Sequence, residues 1–336
     1  MMNPTSHATT QDLGDIRTVL EEDVLAVNEL IIKRMDSPIE MIPNLAKHLV
    51  MAGGKRVRPK LALTVSRLLG HSADAHIKLA ACIEFIHTAT LLHDDVVDGS
   101  ALRRGRATAN ILWGNQASIL VGDFLFSRAF VLMVEMGSLE ILNVLSVAAS
   151  RIAEGEVMQL MNQGNVDASL ESYFEMIEAK TAKLFEAAAE AGVLIAKPAD
   201  EALRLKFKEF GRCLGLAFQI VDDVLDYDYT NVVSGKKAGT DFEEGKITLP
   251  LIYAYENASI SERNRLREMF EQPASLRAEA FTGMADYIKQ SGALLRAHDV
   301  AVGYANKACE ILADLPPSEG KELLLEIAYG SAMRHA

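Results

Sequence analysis

The spacing of apolar residues predicts a chain built almost entirely of helices. Between Leu20 and Met35, apolar residues recur at intervals of three and four, which is typical of one buried helix face. Pro38 ends this helix, because proline cannot donate a backbone hydrogen bond. The same spacing predicts further helices over residues 39–51, 58–69, 74–98, 116–136, 139–162, 170–196 and 200–227, with shorter ones after residue 247. No run alternates between apolar and polar residues as a strand would.

Several of these helices are apolar around most of their circumference, for example in AFVLMVEM and LNVLSVAA. Such helices pack on several sides, either inside a bundle or across a subunit interface. We therefore predict an all-α fold, a bundle of roughly ten or more helices. No Pro-, Gly- or Ser-rich linker divides the chain, so we expect one domain over residues 1–336, with about the first twelve residues flexible.

Composition changes this picture little, but charge narrows the possible ligands. The chain has 336 residues, of which 49% are hydrophobic and 24% charged, as in ordinary globular proteins. The formal net charge of −12 repels nucleic acid and anionic membrane surfaces. An anionic ligand would therefore need local cations or metal ions.

The sequence favours a cytoplasmic location. The N-terminus lacks a basic stretch followed by an apolar core, so no signal peptide is expected. The most apolar run, residues 119–136, is interrupted by charged residues, so no transmembrane segment is expected. The cysteines Cys82, Cys213 and Cys309 are far apart and are interpreted as thiols of a reducing compartment.

Two clusters of aspartates indicate where the chemistry lies. The first comprises Asp94, Asp95 and Asp98, and the second, with the same spacing, comprises Asp222, Asp223 and Asp226. Each lies at the C-terminal end of a predicted apolar helix, where the helix dipole disfavours carboxylates. Residues three or four apart share a helix face, so each cluster can present paired oxygen ligands. Such pairs suit Mg²⁺ bridged to phosphates, and we infer a diphosphate ligand.

The clusters have two other possible interpretations. A solvated acidic helix face explains most charge runs, but it does not account for two matched copies at dipole-disfavoured helix ends. A calcium-storage loop would need a Gly-centred twelve-residue pattern ending in Glu, and neither cluster is followed by one.

Basic residues gather around the aspartates and would complete an anion site. Each of them alone is typical of a surface charge, but their number beside two acidic clusters favours phosphate binding. They are Lys55, Arg56 and Arg58 in GGKRVRP, Arg103 and Arg104 after the first cluster, Lys180 beside Thr181 in a helix, and Lys236 and Lys246 in a second Gly- and Lys-rich loop, residues 230–246. His87 lies about two turns before Asp94, and Gln219 shares a face with Asp222.

Taken together, these residues resemble the trans (E) isoprenyl diphosphate synthases. The resemblance covers nearly the whole chain, through GGKRVRP, DDVVD followed by RRG, GEVMQ, KT, FQIVDDVLD and GKKAGTD. Within that family, HTATLLHDDVVD looks most like long-chain synthases that make octaprenyl or decaprenyl diphosphate for quinone side chains. The resemblance implies an all-α bundle around a deep cavity, usually as a homodimer.

The resemblance also implies a role for each residue. Asp94, Asp98 and Asp222 would hold three Mg²⁺ ions on the allylic diphosphate, with Asp95, Asp223 and Asp226 in support. Arg103, Lys180, Lys236 and Lys246 would bind that diphosphate, while Lys55, Arg58, His87 and Arg104 would bind isopentenyl diphosphate. Thr181 and Gln219 would line the space where the cation forms. Shorter-chain relatives often end in a basic tail, but here only Arg334 remains of it.

Product length is expected to be set below the first aspartate cluster. Ala89 lies five residues before Asp94, about 7.5 Å down the helix, and with Thr90 it would leave a channel open. Large residues near 126–136 or 141–145 would close the floor, and the choice between octaprenyl and decaprenyl stays open. The alternatives are a geranylgeranyl or farnesyl diphosphate synthase, a non-catalytic subunit of a heteromeric synthase, and a terpene cyclase. A cyclase would normally lack the second cluster and GGKRVRP.

Overall fold

The computed structural model describes residues 16–51, 53–103, 105–229 and 238–333. The N-terminal residues expected to be flexible, as well as Arg104, Lys236 and Arg334, lie outside these ranges.

Within these ranges the chain is helical, as predicted. The helices are α1 (Ile16–Arg34), α2 (Met41–Met51), α3 (Val57–Leu68), α4 (Ala75–Val97), α5 (Ala109–Trp113), α6 (Asn115–Glu135), α7 (Leu139–Asn162), α8 (Leu170–Ile177), α9 (Lys183–Ala196), α10 (Glu201–Asp226), α11 (Thr240–Glu244), α12 (Leu249–Asn257), α13 (Ile260–Phe270), α14 (Ala274–Gln290), α15 (Ala293–Ile311) and α16 (Glu319–Ala332). Sequence chemistry explains several of their starts. Ser138 and Asp200, for instance, cap α7 and α10 by accepting hydrogen bonds from the backbone of Ile141 and Leu203.

Three local features depart from the sequence prediction. The single helix expected over residues 170–196 is divided by a π-helical turn, Glu178–Ala182. A two-stranded antiparallel hairpin, β1 (Leu102–Arg103) and β2 (Arg106–Ala107), follows the first aspartate cluster. The second predicted loop contains α11, because backbone N–H groups at the start of that helix find a carboxylate acceptor, described below.

The helices α4 and α10, whose C-terminal ends carry the aspartate clusters, pack on different neighbours. α4 packs mainly on α6 and α3, whereas α10 packs on α9 and α15. Glycines allow α10 to approach its neighbour closely: a Cβ at Gly215 would lie 2.4 Å from the Cα of Ala182, and one at Gly211 would lie 2.5 Å from the carbonyl oxygen of Phe185. The π-helical turn is therefore pressed directly against α10.

Two helices, α4 and α6, are long and apolar enough to cross a membrane by length and composition alone. α4 contributes fully buried residues such as Leu79, Ile83 and Ile86 to the core, which accounts for its apolar character. α6 differs, because one of its faces exposes apolar side chains such as Leu120 and Val134.

Candidate active site

The two aspartate clusters are joined by a continuous chain of contacts centred on Lys246. The Lys246 ammonium lies 2.9 Å from Asp98 Oδ2 at the end of α4. The Lys246 backbone N–H donates to the Asp241 carbonyl at 2.8 Å. The Asp241 N–H in turn donates to Asp226 Oδ2 at 2.9 Å, at the end of α10. Both helix ends therefore border the same site.

Asp95 and Asp223 are buried and held by protein partners. Arg103 binds Asp95 Oδ1 through Nε at 2.9 Å and through a terminal nitrogen at 2.8 Å. Asp223 accepts hydrogen bonds from Tyr173 at 2.6 Å and from Gln219 at 2.7 Å. Burial, together with repulsion from nearby aspartates, raises the pKa of Asp223 to about 8. Each aspartate cluster therefore contains one carboxylate that is held in a fixed position by protein partners.

Asp226 organises the loop that faces α4. Its two carboxylate oxygens accept the backbone N–H groups of Thr240 at 3.2 Å and Asp241 at 2.9 Å, at the start of α11. This contact satisfies two N–H groups of the first turn of the helix and places a negative charge at its positive end. The second cluster thereby fixes α11 and, through it, the segment that carries Lys246.

Asp94, Asp98 and Asp222 are only partly buried and border the site. Burial, with repulsion from Glu156 and Asp98, raises the pKa of Asp94 to about 7, although Lys180 opposes the shift. Such a carboxylate is stabilised by an added cation. Open pairs of this kind suit Mg²⁺, which binds through one or two carboxylates plus substrate phosphates and waters. Among the described residues, no group of three or more His, Cys, Asp or Glu side chains is placed so that it could hold a metal ion by itself.

The two lysines of the site, Lys180 and Lys246, form ion pairs with neighbouring carboxylates. Lys180 Nζ lies 2.6 Å from Glu156 Oε2. Lys246 Nζ lies 2.6 Å from Glu244 Oε2, in addition to its contact with Asp98. Although burial opposes the charged form, these neighbouring carboxylates raise the pKa of Lys246, so it stays protonated at neutral pH. A diphosphate would find the Lys246 ammonium charged, and both lysines held in position by carboxylates.

The π-helical turn brings Thr181 into the same network. The Thr181 hydroxyl donates to Gln219 Oε1 at 2.6 Å, and Gln219 donates onward to Asp223. A π-turn inserts one extra residue into a helix, and such turns are frequent at functional sites. Here it presents Lys180 and Thr181 together beside α10, a placement that helical periodicity does not predict.

A second cationic region lies between α3 and α4. Arg58 contacts His87 Nε2 at 3.2 Å and stacks over the Phe185 ring at 4.4 Å. Lys55 is exposed beside Gly54. A cavity of about 50 Å³ adjoins this region and the first aspartate cluster. Its lining includes Gly53, Arg56, Glu84, His87, Asp95 and Arg103.

Arg56 has a structural partner that the sequence did not indicate. Its guanidinium forms an ion pair with the buried Glu84 of α4. Its φ of 50° lies in the left-handed region, where a non-Gly residue is uncommon. The pair fastens the start of α3 to α4, one turn before His87.

The residues expected to set product length lie in the C-terminal half of α4, and Ala89 shares a face of that helix with Cys82, which contacts α6. Ala89 is fully buried, and the Thr90 hydroxyl donates to the His87 carbonyl at 2.8 Å, so its polar group is satisfied within the helix. Cys82, two helical turns below Ala89, contacts the Ala129 carbonyl of α6 at 3.5 Å. α4 and α6 are antiparallel, so residues late in α6 lie deepest.

Several site residues escaped the sequence prediction. Glu156 belongs to the GEVMQ motif, but a single glutamate in a long helix gives no signal of its partner. Asp241 and Tyr173 were missed for the same reason, since their contacts join segments far apart in the chain.

Comparison with known proteins assigns this chain to a family. Residues 39–284 match the family model for polyprenyl synthetase. Octaprenyl diphosphate synthase of Escherichia coli is 41% identical over 324 residues, which cover 96% of this chain and 99% of that protein.

Solved structures of related proteins support this family assignment. A polyprenyl synthase from Caulobacter crescentus, crystallised with calcium and isoprenyl diphosphate, is 45% identical, with a TM-score of 0.89 over 98% of this chain and 100% of that one. A decaprenyl diphosphate synthase from Rhodobacter capsulatus is 41% identical, with a TM-score of 0.87 over 96% and 98% of the two chains. This chain therefore belongs to the polyprenyl synthetase family of prenyltransferases.

Proposed function

We propose that the protein is a long-chain trans-polyprenyl diphosphate synthase, which adds isopentenyl diphosphate units to an allylic diphosphate. The observation that supports this proposal most directly is the chain of contacts from Asp98 through Lys246 and Asp241 to Asp226, which links the two aspartate clusters. Similarity to an octaprenyl and a decaprenyl diphosphate synthase supports a long product. Such a product would serve as a quinone side-chain precursor.

The proposed metal ligands are Asp94, Asp98 and Asp222, which would hold three Mg²⁺ ions on the allylic diphosphate. The ions would neutralise the diphosphate and so stabilise the charge that develops as it departs. Asp95, Asp223 and Asp226 would support these ligands, and each is itself fixed by a protein partner: Arg103, Gln219 and the Asp241 backbone.

The side chains around the diphosphate have separate tasks. Lys180, Lys246 and Arg103 donate hydrogen bonds to its oxygens, with Lys236 as a further proposed donor. Charge-assisted donors aimed at a leaving group lower the barrier to C–O cleavage. Thr181 and Gln219 face the carbon end and hold their polar groups in fixed directions through their mutual hydrogen bond.

Isopentenyl diphosphate would bind in the region between α3 and α4. Lys55, Arg58 and His87, with Arg104, would hold its diphosphate. The C–O bond breaks first and leaves an allylic cation. The double bond of isopentenyl diphosphate attacks this cation, a new C–C bond forms, and loss of one proton restores a double bond. The departing diphosphate accepts that proton. Exclusion of water protects the intermediate cation.

The growing chain would run between α4 and α6, away from Asp94. The floor would be closed late in α6, where Leu132 and Met133 are almost fully buried. Glu135, three residues after Leu132, lies 3.7 Å from Lys78 near the start of α4. Lys78 is sixteen residues before Asp94, so the contact lies about 24 Å from Asp94 along the axis of α4.

A homodimer is proposed from the exposed side of α6 and α7. Leu120, Phe130 and Val134 are 66%, 45% and 68% exposed, and Leu139 and Met161 of α7 are 82% and 77% exposed. Apolar patches of this kind mark protein interfaces, and a second copy of the chain would cover them. Sedimentation of the protein should show a dimer, and Leu120→Glu should shift it toward a monomer.

The proposed location is the cytoplasm. Cys82, Cys213 and Cys309 are all free thiols, which fits a reducing compartment.

The decisive experiment uses the purified chain alone. It is incubated with farnesyl diphosphate, labelled isopentenyl diphosphate and Mg²⁺, and the products are sized by thin-layer chromatography. We expect a ladder that ends in one long product. No transfer by the chain alone would favour a subunit of a heteromeric enzyme, and a product ending at farnesyl or geranylgeranyl length would favour a short-chain synthase.

A further inference from the structure

Gly155 and Glu156, the first two residues of the GEVMQ motif, have no role in the proposed mechanism. Both lie in α7, which runs beside the π-helical turn. Gly155 is buried, and a Cβ added there would lie 2.5 Å from the backbone nitrogen of Lys180 and 2.8 Å from its Cα. The two backbones thus touch at the residue that carries the ammonium, and a side chain at position 155 would force them apart.

The neighbouring Glu156 reaches the other end of the same lysine. Its Oε2 lies 2.6 Å from Lys180 Nζ, and the Lys180 and Glu156 side chains are only 19% and 28% exposed. α7 therefore holds Lys180 twice, at the backbone and at the tip of the side chain. An exposed ion pair would contribute little, but the low exposure of both side chains limits the screening of this one by solvent.

A lysine on a flexible four-carbon stem loses rotamer freedom when it binds an anion. A residue that restricts the stem beforehand reduces that loss, which strengthens binding. We propose that Glu156 is a positioning residue that holds the Lys180 ammonium for the allylic diphosphate, and that Gly155 is required because only glycine lets α7 come this close. The inference rests on the proposed function, in which Lys180 binds this diphosphate.

The test compares Glu156→Gln with a matched control, Glu154→Gln. Glu154 lies on the same helix and pairs with Arg151, and its side chain is 48% exposed. Binding of inorganic diphosphate in the presence of Mg²⁺ is measured by calorimetry. We expect Glu156→Gln to weaken binding by about tenfold, which corresponds to ~1.4 kcal/mol, and Glu154→Gln to match the wild type. The KM for farnesyl diphosphate should rise in parallel, with the KM for isopentenyl diphosphate unchanged.

A double-mutant cycle then separates positioning from a direct role. If Glu156 acts through Lys180, Glu156→Gln should have no further effect in a Lys180→Ala background. An equal loss in that background would overturn the proposal, as would unchanged or tighter binding by Glu156→Gln alone. Gly155→Ala offers a second variant that keeps both charges, and it should also weaken binding while thermal unfolding shows a folded protein. If the wild type bound no diphosphate, the proposed function itself would fail. If the wild type bound diphosphate normally and Glu156→Gln bound it equally well, only the role of Glu156 would be refuted.

Discussion

Ala89→Phe should shorten the product while condensation continues. Ala89 is fully buried in α4, five residues and about 7.5 Å below Asp94. Adding an aromatic ring there overpacks the interface of α4 with α6, at a cost of about 1–3 kcal/mol. That cost is smaller than the typical stability of a folded domain, about 5–15 kcal/mol, so the variant should fold. The ring would then occupy the path of the growing chain.

The expected length follows from the geometry. An extended polypeptide advances about 3.4 Å over three main-chain bonds, so the four main-chain bonds of an isoprene unit advance about 4.5 Å. The space between Asp94 and a ring at residue 89 then holds roughly two units. With the unit attached to the diphosphate, the product should stop at about three or four units, near farnesyl or geranylgeranyl length.

Cys82→Phe provides a graded control. Cys82 is fully buried, faces α6 and lies two turns below Ala89, about 10.5 Å further from Asp94. Its product should be about two units longer than that of Ala89→Phe. Thin-layer chromatography of labelled products, with thermal unfolding as a folding check, measures both variants. A wild-type ladder from Ala89→Phe, or a shorter product from Cys82→Phe than from Ala89→Phe, would refute a channel between α4 and α6.

Three further predictions concern the charged residues. Asp222→Ala should abolish Mg²⁺-dependent transfer in the labelled-substrate assay, and retained turnover would contradict its proposed role as a ligand. Lys246→Ala removes the cation that joins Asp98 to α11, so the KM for the allylic diphosphate should rise about tenfold or more, and an unchanged KM would argue against this site. Burial alone would raise the pKa of Asp23, but hydrogen bonds from Arg67 and His76 lower it to about 2. Asp23 therefore stabilises the fold above about pH 4 and loses this contribution as the pH falls toward 2. Urea unfolding of Asp23→Asn should show a loss of about 2 kcal/mol at pH 7 that disappears near pH 2, and a loss independent of pH would contradict the assignment.

The sequence by itself determined the helices and indicated which kinds of residue would form the site. The periodic spacing predicted α7 with the same limits as the structure, residues 139–162, and predicted the ends of α1, α4 and α10 to within a few residues. Helical periodicity is a local property, since residues three and four apart must share a face. The paired aspartates were recognisable for the same reason, because their mismatch with the helix dipole lies within a few residues.

The tertiary structure alone decided which side chains meet. Lys246 contacts Asp98 across 148 residues of chain, Lys180 contacts Glu156 across 24, and Tyr173 reaches Asp223 across 50. The π-helical turn lies close against α10, where Gly215 on that different helix leaves room for it. Helix propensity fixes the axis of each helix but not its rotation or its neighbours, which are set by burial of many apolar faces at once. For that reason the sequence shows which kinds of residue form this site, whereas only the tertiary structure shows which of them contact one another.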